Sequence, residues 1–433
     1  MSEQTPPRRT AAQRAEQGRR APHGWPHALV AVLASLVAMA VVAGLGLWAA
    51  GAADLPGGAF PSVVAAVVVM AVGGSVGLSG DAGAIAETNA GLSVLPLSVS
   101  LAGALAIAAG FLRPLRHRAV AGAKELAGWA GRIAVLWLLF LIGLGLLARH
   151  RFTISLGDGP VGDIGGVLDS SPTVGFETDV PLALVFGLLW LAGVLTVVLL
   201  VSRGAPLPAR LLRFQESVRP AAFAMVVLLL SYVALGFVIG IVVAVAKGHA
   251  AQTLAVLLLG LPNIVWLAFT LGLGASWEGR VDGPFGLPMP QVLDAVLRTP
   301  DNSTLSLNTL ADHDGRVWWL LVVAAVLVLA AAFLMAARSP ARMRLWQHAV
   351  HMAVALTLTV LAVCLLAGVS AHAGLSLLGI GDLGGGLSGL VELRPRLWRA
   401  LVLAVAWGLV SGFLGALFAR RVHRRGNVES GPA

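Results

Sequence analysis

The sequence predicts an all-α fold: a polytopic membrane helix bundle of about ten apolar segments, arranged as a two-fold internal repeat. Only 12% of the 433 residues are charged and the mean hydropathy is +0.86, whereas soluble domains carry roughly a quarter charged residues. The apolar residues fall in long runs. Arginine-rich segments separate some of these runs and not others.

Most of the apolar stretches are long enough to cross a membrane, which takes roughly 17–25 residues as a helix. Backbone polar groups cannot stay unpaired in lipid, and the stretches lack the alternation of membrane strands, so we expect helices. We expect 8 to 10 of them to span. The stretches cover residues 28–50, 60–78, 93–112, 133–148, 180–202, 221–246, 251–275, 317–337, 347–371 and 397–419.

The charges predict the topology. Acidic residues concentrate in two loops, 149–179 and 276–316, whereas 21 of the 30 Lys and Arg residues lie in five other segments. Basic segments stay cytoplasmic by the positive-inside rule. We therefore expect a multi-pass plasma-membrane protein with both termini cytoplasmic. The basic segments are 1–26, which is a predicted cytoplasmic tail, 113–132, 203–219, 338–346 and 420–433, of which 421–433 is the second predicted tail.

The net charge of +9 does not indicate nucleic-acid binding. The basic residues are spread over short loops, and no basic groove with interleaved aromatic residues is visible in the sequence. The expected partner is the lipid bilayer, together with an unidentified small-molecule or ion substrate or a protein of the cell envelope.

Two sets of matches indicate a duplication. A shift of 201 positions superimposes the pattern P-x11-G-x-S-x5-D on itself, and shifts of 219 and 217 superimpose a Gly-Asp turn and a tryptophan. We assign membrane repeat 1 to 27–203 and membrane repeat 2 to 204–420. The matched residues are Pro61, Gly73, Ser75, Asp81, Asp163 and Trp190 with Pro262, Gly274, Ser276, Asp282, Asp382 and Trp407.

The basic segments conflict with a simple count of crossings. In each repeat, three apolar stretches separate basic segments that should lie on the same side. One alternative has ten crossings and violates the charge rule. In the other, stretches 60–78 and 251–275 enter and leave on one face, and such re-entrant segments require a protein-lined or polar surrounding. The sequence leaves both alternatives open.

Four residues are candidates for a pathway between the repeats: Ser75, Asp81, Ser276 and Asp282. Carboxylates and hydroxyls at membrane depth could bind a cation or a basic group. The alternative is that both aspartates lie in external loops, where they are solvated and cap helices.

Other candidate residues have simpler interpretations. Asp163 and Asp382 suit tight turns, and Cys364 suits packing inside an apolar stretch. His348 and His351 share a helix face, but they lack a third metal ligand nearby in the sequence. No cofactor, metal site or catalytic motif is predicted, so we do not expect an enzyme.

The chain resembles the streptophobe family of hydrophobic multi-spanning membrane proteins of streptomycetes. The resemblance rests on length, the arginine-biased segments, the apolar stretches, the Gly73-Gly-Ser75 segment and the Gly162-Asp163 turn. It implies an actinobacterial membrane protein and supplies no site residues. Two functional hypotheses remain, a transporter or permease with its path between two repeats and a non-transporting envelope scaffold that uses its external loops.

Overall fold

The structure is a computed structural model of the chain. It describes residues 24–55, 58–81, 86–113, 123–153, 173–202, 209–248, 250–282, 303–340, 343–377 and 389–420.

The described residues form eleven α-helices, which confirms the predicted helical bundle. Two short 3-10 turns accompany them, at Ala52–Asp54 and Gly315–Trp318. The helices are α1 (Trp25–Ala49), α2 (Phe60–Met70), α3 (Leu97–Leu112), α4 (Ala123–Leu147), α5 (Val180–Val201), α6 (Ala209–Lys247), α7 (Ala250–Gly272), α8 (Leu307–Ala311), α9 (Trp319–Arg338), α10 (Leu345–Leu366) and α11 (Leu397–Ala419).

The structure also contains one eight-stranded antiparallel sheet. Its strand order is β3-β4-β1-β2-β7-β8-β5-β6. The strands are β1 (Val76–Asp81), β2 (Ala86–Ser93), β3 (Arg149–Thr153), β4 (Thr173–Thr178), β5 (Trp277–Asp282), β6 (Ser303–Leu305), β7 (Val369–Leu377) and β8 (Gly389–Pro395).

The sequence did not predict this sheet. Its strands are short, and the central strands β1, β2 and β7 are rich in Gly, Ala and Ser, so these lack the β-branched alternation that identifies a strand. Its central pairing joins β2 to β7, whose paired residues lie 277 to 291 positions apart in the chain. Only the folded bundle brings these two segments together.

The sheet lies at one end of the helix bundle, which we call the sheet end. Four helices, α2, α4, α7 and α10, finish within a few residues of a strand, and α3, α5 and α11 start within a few residues after one. The connections from α3 to α4, from α5 to α6 and from α9 to α10 leave from the opposite end, which we call the far end.

Helix α2 has both its ends toward the sheet end. Helix α1 runs antiparallel to α3, because Gly103 lies against Met39 and Gly110 lies against Ala31. Since α3 runs away from the sheet, α1 runs toward it. Helix α2 follows, has only 11 residues and leads directly into β1.

Helix α7 is placed in the same way. Arg338, at the far end of α9, has its guanidinium carbon 3.9 Å from the centre of the Phe223 ring on α6. From Phe223, α6 continues for about 36 Å toward the sheet end. Helix α7 returns antiparallel to α6, with Leu257 against Gly240 and Val265 against Gly236, and then leads into β5.

The chain is a multi-pass membrane protein. Eight helices are long and apolar enough to cross a membrane, namely α1, α4, α5, α6, α7, α9, α10 and α11. Exposed tryptophans mark both ends of the bundle, as expected for interfacial belts. They are Trp25 and Trp346 at the far end and Trp48, Trp318, Trp319 and Trp398 at the sheet end.

The two halves of the sheet have the same strand order and the same register. Order β3-β4-β1-β2 in the first half corresponds to β7-β8-β5-β6 in the second. Val76 pairs with Thr178, and Trp277 pairs with Pro395, so shifts of 201 and 217 convert one pair into the other. The helices before and after these strands also follow one another in the same order.

The turn after the second helix of each half is likewise the same. Gly73 has a φ of 100° and Gly274 a φ of 91°, a left-handed conformation that favours glycine. The Gly73 N–H donates to the Met70 carbonyl at 2.9 Å, and the Gly74 N–H donates to Val69 at 3.0 Å. The equivalent bonds are present at Gly274 and the residue after it, so both helices end in Schellman caps.

Candidate functional site: the joint between the two halves

The two halves meet where the N-terminus of α3 contacts a proline-broken turn of α7. Pro262 lies inside α7, where it has no N–H to donate and where its ring disturbs the preceding turn. In the first half, Pro61 instead lies in the first turn of α2, where proline is tolerated. Helix α2 therefore corresponds to the part of α7 that follows the break.

A serine hydroxyl from the first half is inserted into the break. The Ser98 hydroxyl donates to the Leu257 carbonyl at 2.9 Å and accepts from the Leu261 N–H at 3.1 Å. These two backbone groups are the i and i+4 partners of an ordinary helical turn. A side chain inserted between such partners is a recognised cause of helix bending.

Asn263 makes the reciprocal contact from the second half. Its Oδ1 accepts from the Leu97 N–H at 3.1 Å, and its Nδ2 donates to the Leu95 carbonyl at 2.9 Å. The amide thus provides hydrogen bonds at the first turn of α3, where the backbone donors have no partners within the helix. We call the Ser98 and Asn263 contacts the polar joint.

Apolar packing surrounds the polar joint. A Cβ on Gly46 of α1 would lie 2.8 Å from Leu259 Cδ2 of α7, so the two halves approach closely there. Half of the apolar segment of α7 is buried, which is the largest share among the eight candidate spans. In α6, only 11% of the corresponding segment is buried. The polar joint can hold α3 and α7 in a fixed position relative to each other. Its groups are neutral, so it offers no charge to a substrate.

The two predicted serines occupy equivalent positions below the sheet. The Ser75 carbonyl accepts from the Asp179 N–H at 3.4 Å, and the Ser276 carbonyl accepts from the Arg396 N–H at 3.0 Å. Ser75 is half-buried, whereas Ser276 is fully buried and its hydroxyl has no hydrogen-bond partner among the described residues.

The two predicted aspartates lie at the ends of strands. Asp81 is opposite Glu87 and Thr173, and Asp282 is opposite Leu390. Each lies about 20 Å along its strand from the matching serine. Strands β2, β7 and β8 separate β1 from β5, about 19 Å in all, so the structure does not bring the four residues together.

The remaining candidates have varied placements. His348 is buried on α10 with its carbonyl against Gly412, and Cys364 is buried on the same helix. Asp163 and Asp382 lie outside the described residues. Within the described part of the chain, no three His, Cys, Asp or Glu side chains are grouped so as to hold a metal ion.

Sequence reasoning missed Ser98 and Asn263. Asn263 carried a usable signal, because it is a strongly polar amide inside the apolar stretch 251–275 and directly follows the repeated proline. Ser98 carried none, since a serine near a helix start is ordinary. Its partner depends on which helix of the other half lies beside it.

The charges separate by end of the bundle. The five basic segments of the sequence adjoin described helix ends at the far end and contain 21 Lys and Arg against 5 Asp and Glu. The rest of the sequence contains 9 Lys and Arg against 16 Asp and Glu. The placement of α2 and α7 thus removes the conflict between crossings and arginines.

Comparisons with protein-family models, with curated proteins and with solved structures give no match to this chain.

Proposed function

We propose that this protein is a non-transporting scaffold of the plasma membrane, and not an enzyme, whose sheet is a docking platform for a protein of the cell envelope. A single observation carries the proposal. One hydrogen-bonded sheet continues across both halves at the acidic end of the bundle. Eight residue pairs between β2 and β7 close the boundary, so the two halves are not free to rock against each other at this end.

The outer face of the sheet supports a binding role. In β5, Trp277 and Gly279 are buried whereas Glu278 and Arg280 are exposed, which is the alternation of a sheet with one face on a core. The Arg396 Nε donates to Glu278 Oε1 at 2.7 Å on this side, and both side chains are well exposed. Such a mixed-charge surface suits a polar protein partner.

The charge distribution indicates how the protein is oriented in the membrane. The far end, whose helix ends adjoin the basic segments of the sequence, is cytoplasmic by the positive-inside rule. Helix α1 begins and helix α11 ends there, so we propose cytoplasmic termini. The sheet then faces the outside. The resemblance to the streptophobe family stays a prediction.

We infer eight crossings in two parallel repeats. By length alone, α7 would cross the membrane and the 16-residue α3 would not. The connections between elements favour the opposite, in which α3 crosses and α7 does not. Helix α3 links a strand to the far end, whereas α7 starts and ends toward the sheet. The shared strand order, register and caps support a duplicated unit of four crossings and one re-entrant helix.

Photo-crosslinking in whole cells tests the platform. A benzophenone amino acid replaces Arg280 or Arg394 on the outer face, and Val245, 81% exposed on α6, serves as the lipid-facing control. We expect both sheet positions to give the same discrete adduct with one envelope protein. The control should give none, and a chain without adducts at both sheet positions would refute the platform.

Transport is the second candidate, favoured by one observation: a proline-broken helix lies in the bundle interior at the boundary of two similar halves. A Gly91→Cys, His372→Cys pair would lock β2 to β7, since these residues are directly opposite. Solute flux into proteoliposomes that disappears on locking would support transport. A flux equal to that of protein-free liposomes, locked or not, supports the scaffold.

A further inference from the structure

Three exposed arginines lie where α9, α10 and α11 reach the far end. Arg338 is the last residue of α9, Arg344 directly precedes α10, and Arg420 directly follows α11. These three helices and the connection from α9 to α10 contain no Asp or Glu. Within the described part of the chain, none of the three arginines forms an ion pair. Their charges are therefore available to an anion from outside the chain.

Helix packing brings two of these arginines to the same level. A Cβ on Gly415 of α11 would lie 2.6 Å from the carbonyl carbon of Ala332 on α9, and both helices run toward the far end. Arg420 lies five residues beyond this contact and Arg338 six, which is about 8 and 9 Å of helix rise. Close beside them, α10 joins the other two helix ends, because Leu345 packs against a buried cluster of Ala336, Ala416 and Ala419.

Arg344 belongs to this group although its helix runs in the opposite direction. A Cβ on Gly412 of α11 would lie 2.8 Å from the Ala349 Cα of α10. Arg344 lies five residues from this contact and Arg420 eight, so their levels differ by about 4–5 Å. The negative C-terminal ends of α9 and α11 favour Arg338 and Arg420, but a cation is unfavourable before the N-terminus of α10. The helix dipole therefore does not explain Arg344.

We propose that Arg338, Arg344 and Arg420 bind the phosphate of one anionic phospholipid. A guanidinium group can donate two parallel hydrogen bonds to phosphate oxygens, and basic pockets between membrane helices suit such headgroups. The guanidinium carbon of Arg338 lies 3.9 Å from the centre of the Phe223 ring, a cation–π contact that orients the group and uses none of its N–H donors. A zwitterionic headgroup would bring a cation for which these three helices supply no carboxylate, so a headgroup with net negative charge fits better.

An exposed apolar stripe continues from Arg420 into the membrane. Phe413 and Leu417 are 46% and 44% exposed and lie seven and three residues before Arg420, which places all three on one face of α11. An acyl chain can lie along this stripe while its phosphate reaches the arginines. Trp346, exposed beside Arg344, marks the level of the headgroups. Because a free phosphate ion gains nothing from the stripe, we assign the site to a lipid, independently of the docking role of the sheet.

Unfolding of the purified protein in a neutral detergent tests the site. Dioleoyl phosphatidylglycerol is titrated into the protein and compared with dioleoyl phosphatidylcholine and with inorganic phosphate. We expect only phosphatidylglycerol to raise the unfolding temperature. The double variant Arg344→Gln, Arg420→Gln should weaken the apparent affinity for phosphatidylglycerol by about tenfold or more, because it removes charge-assisted hydrogen bonds to the phosphate.

A matched control separates this site from net charge. The double variant Arg113→Gln, Lys124→Gln removes two exposed cations at the far ends of α3 and α4 and should bind phosphatidylglycerol as the unmodified chain does. An unchanged affinity in the first double variant, or an equal loss in both, would overturn the proposal. Equal stabilisation of the unmodified chain by phosphatidylcholine or by inorganic phosphate would overturn it too, as would no stabilisation by phosphatidylglycerol. This comparison of ligands needs no variant, so it decides the question even if a variant does not fold.

Discussion

Ser98 illustrates how a single hydroxyl can decide the path of a helix. It serves two backbone groups of α7 at the turn where Pro262 has removed a donor. Asn263 in turn forms hydrogen bonds with backbone groups at the start of α3. Polar side chains at such depth are retained when every donor and acceptor finds a partner, because the alternative is an unsatisfied group in hydrocarbon.

Replacing Ser98 by alanine removes this bridge. We expect Ser98→Ala to lower the free energy of unfolding by about 1–2 kcal/mol, since hydrogen bonds between membrane helices contribute in that range. Thermal unfolding in detergent measures the loss. Ser231→Ala is the matched control, because that hydroxyl bonds only to Val227 of its own helix and should change stability little.

The two left-handed glycines offer a paired comparison. Gly274→Ala should destabilise by about 1–2 kcal/mol, because alanine is strained in this left-handed conformation. Backbone strain is the whole expected cost, since the new Cβ would lie 3.6 Å from Leu403, an ordinary contact. Gly73→Ala should lose more, because its Cβ would also lie 2.8 Å from Phe186. Unfolding of both in detergent gives the order. Gly193→Ala, in open helical space, should be neutral or stabilising.

At the scale of elements, small residues set how closely the helices pack. Helix α11 presents Gly408 and Gly412 to α10, and a Cβ on Gly412 would lie 2.8 Å from Ala349 Cα. A Cβ on Gly408 would lie closer still to the Ala353 Cα. Without a hydrophobic force between helices in lipid, such close backbone approach is a main source of helix association.

A larger side chain at this contact should separate the two helices. We expect Gly408→Val to lower stability by several kcal/mol or to abolish recovery of folded protein, because its backbone neighbour cannot move aside. Size-exclusion profiles and thermal unfolding report it. Gly143→Val on α4 is the control, since nothing lies within 4 Å of its Cβ position. Equal losses in both variants would show that valine propensity, not the contact, is responsible.

At the scale of the whole molecule, the proposed eight crossings rest on connectivity. The sheet lies next to the ends of seven helices on one side, and the basic segments of the sequence adjoin helix ends on the other. In the proposed arrangement, stretches 60–78 and 251–275 contain α2 and α7, which return to the side from which they came. This arrangement agrees with the charge rule without inverted repeats.

Cysteine labelling tests the arrangement. Single cysteines replace Ala53 and Gly77 around α2, Ala251 and Arg280 around α7, or Lys124 at the far end, all in a Cys364→Ser background. We expect a membrane-impermeant maleimide, added outside intact cells, to label the first four positions and to leave Lys124→Cys unlabelled. If Ala53→Cys and Gly77→Cys react from opposite sides, α2 crosses the membrane and the proposal fails.

The sequence by itself determined the membrane class, the helical bundle and the separation of charge, because these follow from composition and from the length of apolar runs. The duplication that its matched residues indicate stays a prediction. Only the tertiary structure decided that four strand pairs join into one sheet, that Ser98 and Asn263 share a joint, and that Asp81 and Asp282 lie apart. The physical reason is range: hydropathy and charge are properties of local segments, whereas strand pairing and polar contacts join residues 150 to 290 positions apart.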